Sequence, residues 1–351
     1  MKRSGQKTTA NKIQVVLDRI FGFILATVIL IGIAGLGIEY VLVKGPSTAL
    51  RNTFLATMIE TRRFDWLANI YLTDEEYVEL IEDIYRVDES ATDTSLINAE
   101  VEVSVNEQGQ NVDAYGIVDE DGDGIVLLDV TGEGYTGYML IVYDPMRIRL
   151  GIPDIFGGTG LTVEQYCEKY NALAAVNASG FDDPNGTAWG GVPVGVIIYE
   201  GTVYNASAGW NEYCGFDSNG IMHIDAFEGT ELQDTDIVNA AYFGPKLIVN
   251  GNPRDPEKLV SGVNPRTAIG QRADGAVLLL VLDGRQVQSL GATYQDCCDV
   301  MIDYGAVNAY CMDGGSSTSM YYNGAYVNSP SGEGGARPCP SAWIVLPESA
   351  G

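Results

Sequence analysis

The chain has 351 residues, 46% of them hydrophobic and 19% charged, which leaves room for one or two cored domains and excludes a disordered or wholly membranous protein. Its formal charge of -27 repels polyanions, so nucleic acid and an anionic lipid surface are excluded as partners.

The N-terminus opens on basic residues: Lys2, Arg3, Lys7, Lys12 and Arg19 stand against a single acid, Asp18. An apolar run follows from Ile20 to Ile38, and Tyr40 to Val43 extend it. About twenty apolar residues at ~1.5 Å rise span a hydrocarbon core, and basic residues hold their flank in the cytoplasm. A cleaved signal peptide is the competing reading, but the run is long for one and Ala34-Gly35-Leu36-Gly37 makes a poor cleavage site. The expected layout is a cytoplasmic tail over 1–19 and a single-pass type II signal anchor in the cell membrane over 20–43. A helical stalk and linker over 44–95 then lead to an extracytoplasmic domain over 96–351.

Gly45-Pro46 ends the anchor. In the stalk, Thr73-Asp74-Glu75-Glu76 reads as a capping box, and Tyr77, Leu80, Ile81, Ile84 and Tyr85 recur at helical spacing. Polar Asp88 to Ser95 reads as a linker. From Leu96 the texture changes to short apolar runs punctuated by glycine, the pattern of a strand-rich domain. Expected strands include Ile125–Val130, Tyr138–Tyr143, Leu173–Val176, Val194–Tyr199, Ala276–Leu282 and Val307–Met312. Two helices are expected within them. Thr162-Val163-Glu164-Gln165 caps one towards Tyr170, and Thr293 opens the other, which Gly305 stops. All six cysteines (Cys167, Cys214, Cys297, Cys298, Cys311, Cys339) fall in the outer part, where an oxidising compartment permits disulfides in any of fifteen connectivities.

Several motifs invite the wrong chemistry. Gly132-Glu133-Gly134-Tyr135-Thr136-Gly137 matches a dinucleotide fingerprint, but a strand follows it, so it reads as a hairpin turn. The sequons at Asn177, Asn185 and Asn205 read as chance triplets. His223 is the only histidine; it alternates with Ile221 and Asp225 as a strand residue does, and no GxSxG elbow presents a serine to it. Asp119, Asp121 and Asp123, with Gly124 sixth in the loop, match the start of an EF-hand, though Val130 stands where its bidentate glutamate would be. The loop is a candidate structural calcium site; a solvated acidic turn is the plainer alternative.

The stretch from Asn264 to Asp313 carries the chemistry. A buried strand ends in Asp283-Gly284-Arg285, a helix follows, and a second strand ends in Asp313-Gly314-Gly315-Ser316-Ser317. A strand-helix-strand crossover of this length makes its strands parallel, so both aspartates leave at one edge of a sheet, where ligands gather in such units. The glycines allow Gly314 and Gly315 amides and the Ser316 and Ser317 hydroxyls to face an anion. Arg285, and Arg266 from Asn264-Pro265-Arg266-Thr267-Ala268, supply guanidinium groups suited to phosphate.

These residues resemble the phosphodiester glycosidase family. The resemblance rests on Asn177-Ala178-Ser179-Gly180-Phe181, Asn264 to Gly270, Asp283-Gly284-Arg285 and Asp313 to Thr318, in order, within a span from Leu96 to Leu346. Two departures stand out: Asn177-Ala178-Ser179-Gly180-Phe181 replaces the family's Asn-Gly-Gly-Phe-Phe, and Tyr310-Cys311-Met312 precedes the acidic turn where Asn-Leu is common. The resemblance implies an α+β fold: a strand-rich catalytic domain with a few helices, preceded here by one transmembrane helix and a helical stalk. It implies hydrolysis of a sugar-1-phosphodiester in a glycan substrate, with no cofactor required. Asp313 would be base or nucleophile and Asp283 its partner. Arg266 and Arg285 would bind phosphate, helped by Gly314 and Gly315, while Asn177, Gly180 and Thr267 would line the substrate site. The rival readings are a non-catalytic glycan-binding or exopolysaccharide-assembly protein of the envelope, and a serine hydrolase using Ser316 or Ser317. Paired acids weigh against the first and the single histidine against the second.

Overall fold

The computed structural model describes residues 4–61, 65–68, 70–84, 90–98, 103–183, 187–231 and 236–348. Tyr85 of the stalk pattern and Asn185 of the second sequon lie outside these residues.

The centre is a seven-stranded antiparallel-paired sheet. Its spatial order is Asn252–Pro253, Lys246–Val249, Ala306–Met312, Arg266–Arg272, Val277–Leu282, Tyr135–Val142 and Ile125–Gly132. Val277–Leu282 is apolar throughout because both of its faces are covered. Val277, Leu279 and Val281 pack towards a second sheet, while Leu278, Leu280 and Leu282 pack with Cys297, Cys298, Val300 and Met301 of helix Tyr294–Asp303. The second sheet runs Ala325–Tyr326, Met320–Tyr322, Ala174–Asn177, Ala342–Val345 and Ile148–Gly151. Its outer face carries helix Val163–Tyr170, through Val163, Tyr166 and Cys167 against Ala175, Ala342 and Ile344. The core is therefore layered helix, sheet, sheet, helix: an α+β fold in which each strand shows alternate residues to opposite layers.

A five-stranded sheet of Met222–Glu228, Trp210–Asp217, Ile237–Ala241, Ile197–Tyr199 and Thr202–Asn205 abuts this core, and a small meander of Val103–Val105, Asn111–Asp113 and Val118–Asp119 completes the domain. Local signals set the ends as the sequence predicts. Both helices open on capping boxes, Thr162 with Gln165 and Thr293 with Asp296. The GxGxxG run is a two-residue hairpin turn: Gly132 pairs with Tyr135, and Gly134 takes a φ of +85° that favours glycine. The six cysteines are free thiols, and all are buried.

The N-terminal helix is Ser4–Lys44, and its stretch Gln14–Lys44 is long and apolar enough to cross a membrane. Helices Thr48–Thr61, Asp65–Ala68 and Asp74–Ile84 follow. They fold back on the base of the first: Tyr71 donates to the Leu36 carbonyl at 3.0 Å, and Lys44 Nζ lies 2.8 Å from Glu76. The expected capping box at Thr73 is present, with Glu76 N–H donating to Thr73 Oγ1 and Thr73 N–H to Glu76 Oε2.

The described part of the stretch read as a linker, 90–95, lies along the domain as a strap. Lys246 Nζ donates to Ser90 O at 2.6 Å, Asn250 Nδ2 to Ala91 O at 3.0 Å, and Asp93 N to Asn250 Oδ1 at 2.7 Å. Thr92 Oγ1 accepts from Ile224 N at 2.8 Å, and Asn98 N donates to Ala273 O. Polar composition signalled a lack of core contacts, not a lack of contacts.

Candidate active site

The crossover expected between Val277–Leu282 and Ala306–Met312 is there, with one addition. Strand Arg266–Arg272 lies between the two and pairs antiparallel with both. The outer strands are thus parallel to each other and end at the same edge, and Arg266–Arg272 begins there. Leu282 is opposite Arg266, and Met312 opposite Thr267. Asp283, Asp313 and the Asn264-Pro265-Arg266 segment consequently share one rim.

Asp313 is held by its backbone. Its N–H donates to Ala178 O at 3.0 Å, and its carbonyl accepts from Asn177 Nδ2 at 2.6 Å. Asn177 Oδ1 in turn accepts from Thr267 Oγ1 at 2.8 Å and Ser319 N at 3.1 Å. Asn177 is fully buried, so the expected contact with sugar hydroxyls is corrected: its amide ties three segments together beneath the rim. Thr267, 1% exposed, belongs to the same tie. Gly180 is also interior; a side chain there would meet the Phe243 ring at 2.8 Å, so glycine answers a packing need.

Arg266 is corrected as well. It is 4% exposed, stacks 4.1 Å over the Tyr294 ring, and donates to Ala292 O at 3.0 Å and Gly262 O at 2.5 Å. One carbonyl comes from four residues upstream and the other from 26 residues on, and together they bind the guanidinium under the rim. The Gly315 N–H is likewise taken, by Pro265 O at 2.8 Å, and Ser317 is buried.

What does reach the rim is a different pair of cations. Arg285 is exposed, adopts a left-handed φ of +60°, and donates to Asn264 Oδ1 at 3.0 Å. A methyl group built on Gly315 would lie 3.1 Å from its Nη2, so the guanidinium lies against the Asp313 loop. Gly315 itself has φ +62° and Gly314 could carry no side chain without meeting Pro265 O at 2.9 Å. The second cation, Arg337, was missed in the sequence. Its Nη1 donates to Ser316 Oγ at 3.0 Å and its Nη2 to Asp183 Oδ2 at 2.9 Å and Ala188 O at 2.7 Å, over the Phe181 ring. One signal was available: Arg337 is the sole basic residue after Arg285. Trp189, 69% exposed, follows Ala188 at this edge.

Asp283 is 7% exposed and accepts from Asn328 Nδ2 at 2.9 Å and Ser329 N at 3.1 Å. Burial raises its pKa above the usual aspartate range, and the Asn328 and Ser329 hydrogen bonds oppose that shift. The Asp119, Asp121 and Asp123 carboxylates do cluster, each offering an oxygen within 4.8 Å of the others. Asp119 accepts from Gly122 N and Gly124 N, and Asp123 from Ile125 N, so the loop closes on its own amides. It precedes strand Ile125–Gly132, and the hairpin turn beyond the strand's other end takes the Leu290 N–H of the site loop on the Gly134 carbonyl. Eight residues of strand at ~3.4 Å each put the acidic turn far from the rim.

Comparison with known proteins identifies the family. The phosphodiester glycosidase (NAGPA) family model matches residues 170–346, and the chain belongs to that family. Its fold is similar to the zebrafish N-acetylglucosamine-1-phosphodiester alpha-N-acetylglucosaminidase catalytic domain, auto-inhibited by its pro-peptide. The TM-score is 0.52 at 22% identity, over 64% of this chain and 82% of that one. A Burkholderia pseudomallei putative exported protein is similar at a TM-score of 0.47 and 19% identity, over 61% of this chain and 74% of that one. In sequence the chain is 31% identical over 188 residues to the SPbeta prophage-derived uncharacterized protein YomE of Bacillus subtilis, covering 49% of this chain and 28% of that protein. The chain thus spans under a third of the length of that relative.

Proposed function

We propose that the protein is a membrane-anchored hydrolase whose extracytoplasmic domain cleaves sugar-1-phosphodiester linkages in envelope or exopolysaccharide glycans. The observation that carries this reading is the meeting of Arg285 with the Asp313-Gly314-Gly315 turn at an edge where Asp283 also emerges. Family membership supports the reaction class, and the apolar helix Gln14–Lys44 supports the anchor. Calcium at the Asp119–Asp123 turn would be structural in this reading, and the reaction needs no cofactor.

The chemistry balances on the chain's own groups. Water adds to the anomeric carbon as the bond to the phosphate oxygen breaks, and that electron pair leaves with a phosphate monoester. The monoester is a good leaving group, so the site needs cations for its charge more than a strong acid. Arg285 and Arg337 with Ser316 supply them. Asp313 takes the proton from water or attacks the carbon itself, and the anomeric configuration of the product tells the two apart. Asp283 sets the charge and shape around it through Asn328 and Ser329.

The test is turnover by the purified full chain on a panel of sugar-1-phosphodiesters. Release of free sugar supports the reading; binding without release from any member would favour the glycan-binding alternative. Arg285→Ala should raise KM for the phosphodiester at least tenfold, about 1.4 kcal/mol, with a smaller change for a neutral glycoside competitor. The pH profile gives a further check. Because burial raises the Asp283 pKa, acidification returns its proton earlier than an ordinary aspartate would regain one. If Asp283 works ionised, activity should fall on the acid side above the usual aspartate range, and Asp283→Asn should remove that limb. An unshifted limb in Asp283→Asn would take Asp283 out of the titrating set.

A further inference from the structure

The segment that leads into the site also carries a contact between the domain and the stalk of its anchor. Beyond Lys44 the chain turns back, and by Tyr71 it is again beside Leu36, whose carbonyl Tyr71 meets at 3.0 Å. Helix at ~1.5 Å per residue puts Leu36 about 12 Å back from Lys44, inside the apolar stretch Gln14–Lys44. Helices Thr48–Thr61 and Asp65–Ala68 occupy that return, so they lie beside the outer end of the spanning helix instead of standing above it. Trp66, exposed there, and Tyr71 are side chains that settle at a membrane–water interface. The domain rests on the same return. Leu55 and Ala56 are fully buried, and a methyl group built on Gly262 would lie 3.0 Å from Thr57 Oγ1 and 3.3 Å from its Cα.

Gly262 also belongs to the framework of the site. Its carbonyl holds Arg266, and two residues on, at most about 7 Å of chain, Asn264 holds Arg285. Asn264 and Ala292 exchange both backbone hydrogen bonds, at 3.1 and 2.9 Å, which brings the Arg285–Leu290 turn alongside. Three apolar side chains flank Arg285 on these two segments: Val263 is 54% exposed, Leu290 65%, and Val287, at the tip of the turn, 99%. The turn is pinned open. Gln286 N donates to Ser289 O at 2.9 Å, Gln286 Nε2 to Ser329 O at 2.7 Å and Ser289 Oγ to Asp283 O at 2.6 Å. Single exposed apolar side chains are ordinary. Three of them around the guanidinium assigned to the phosphate, one loop away from the anchor's own stalk, make a surface for hydrocarbon. The charge of -27 repels anionic headgroups, so the anchor and apolar contact hold this face to the membrane, not ion pairing.

We propose that the substrate is a sugar-1-phosphodiester whose second ester is a lipid of the leaflet on which the domain rests, and that Val263, Val287 and Leu290 take the start of its hydrocarbon chain. This rests on the membrane-anchored hydrolytic reading above and narrows its substrate class. The water oxygen bonds to the anomeric carbon, the bond from that carbon to the phosphate oxygen breaks, and its electron pair stays with the lipid phosphate. The sugar leaves as the free hemiacetal, the proton lost by water passes to solvent through Asp313, and the lipid monophosphate remains in the leaflet. A phosphate at headgroup depth is thereby cleaved without drawing its chain out of the membrane.

The experiment uses the full chain in phosphatidylcholine vesicles, with a methyl ester and a long-chain alkyl ester of each sugar-1-phosphate in the panel. The long-chain ester should show the higher kcat/KM, and should turn over faster in the protein's own vesicles than when supplied in separate ones. Val287→Asp/Leu290→Asp, changed at exposed positions, should cut the long-chain-to-methyl ratio by at least about tenfold, the scale of one lost apolar contact of this size. A second readout does not depend on turnover. The native thiols are buried, so a thiol-reactive dye on Val287→Cys marks the turn, and nitroxide-bearing phosphatidylcholine in the bilayer should quench it. An unquenched dye overturns the proposal. Equal kcat/KM for the two esters, or a ratio unmoved in Val287→Asp/Leu290→Asp, also overturns it while the hydrolytic reading stands. Release of sugar from neither ester takes down the hydrolytic reading, and the lipid-borne substrate with it.

Discussion

Asp313→Asn should lower turnover by two or more orders of magnitude while leaving the fold intact, roughly the scale of a lost general base. The fold survives because the turn is tied through its backbone, to Ala178 O on one side and Asn177 Nδ2 on the other. Met312 before it is 1% exposed, so Asp313 leaves a buried strand end, beside the Asn177 tie and the turn that Arg285 lies against. Asparagine keeps the shape and removes the charge, and with it both the base and the nucleophile. Single-turnover kinetics alongside circular dichroism would measure it. A folded variant with near-native turnover would sink the assignment and point to Asp283 as the principal carboxylate. Asn177→Ala provides the contrast: the amide is buried beneath the rim, so its loss should depress turnover by releasing Asp313, with little effect on KM.

Asp113→Ala should destabilise the domain by about 3 kcal/mol, the lower end of the cost of breaking a buried ion pair, because Arg272 keeps its second carboxylate, Asp274. Arg272 is fully buried; its Nη1 is 2.7 Å from Asp113 Oδ2, and its Nε and Nη2 reach Asp274 at 3.0 and 2.7 Å. Its guanidinium also lies 4.2 Å from the Tyr115 ring centroid. Asp113 Oδ1 closes the meander by accepting Tyr115 N at 2.9 Å and Ile117 N at 2.8 Å. Removing this carboxylate therefore opens the small sheet and takes away one of the arginine's two carboxylates together. Denaturant titration should show the loss, and Asp113→Leu with Arg272→Met should recover part of it, because the double change removes both charges. Equal stabilities of the single and double variants would mean that the pair contributes through its meander turn alone.

Strand Arg266–Arg272 shows where sequence reading reached its limit. It carries an arginine at each end, and both are interior. Nothing local distinguishes an arginine that grips a ligand from one that stacks on Tyr294 and binds carbonyls of Gly262 and Ala292, since Tyr294 and Ala292 arrive from another segment. Asn177 failed for the same reason. Its motif position was legible, but its contacts with Asp313, Thr267 and Ser319 exist only once segments distant in sequence have come together. By contrast, the Gly132–Tyr135 turn, both capping boxes and the doubly buried Val277–Leu282 are set by neighbours in sequence, and they were readable. The common rim of Asp283 and Asp313 was readable too, because crossover length constrains strand direction; the inserted strand between them preserved that direction. Trp210–Asp217 was missed because Asn211, Glu212 and Gly215 break its apolar pattern, although Asn211 is buried through hydrogen bonds to Ser207, Gly209 and Gly229 carbonyls.

The six unpaired thiols make the molecule its own clock of local opening. Burial pushes Cys298 up to about 11 and Cys167 up to about 12, so in the closed state neither presents a thiolate to an alkylating reagent. Labelling must then wait for the layer that covers each sulfur to part. Cys167 reports on the outer helix Val163–Tyr170, Cys214 on the five-stranded sheet at its side, and Cys297, Cys298 and Cys311 on the helix-backed face of the central sheet. Mass-resolved alkylation over time would rank these layers by the frequency of their excursions, with no label engineered into the chain.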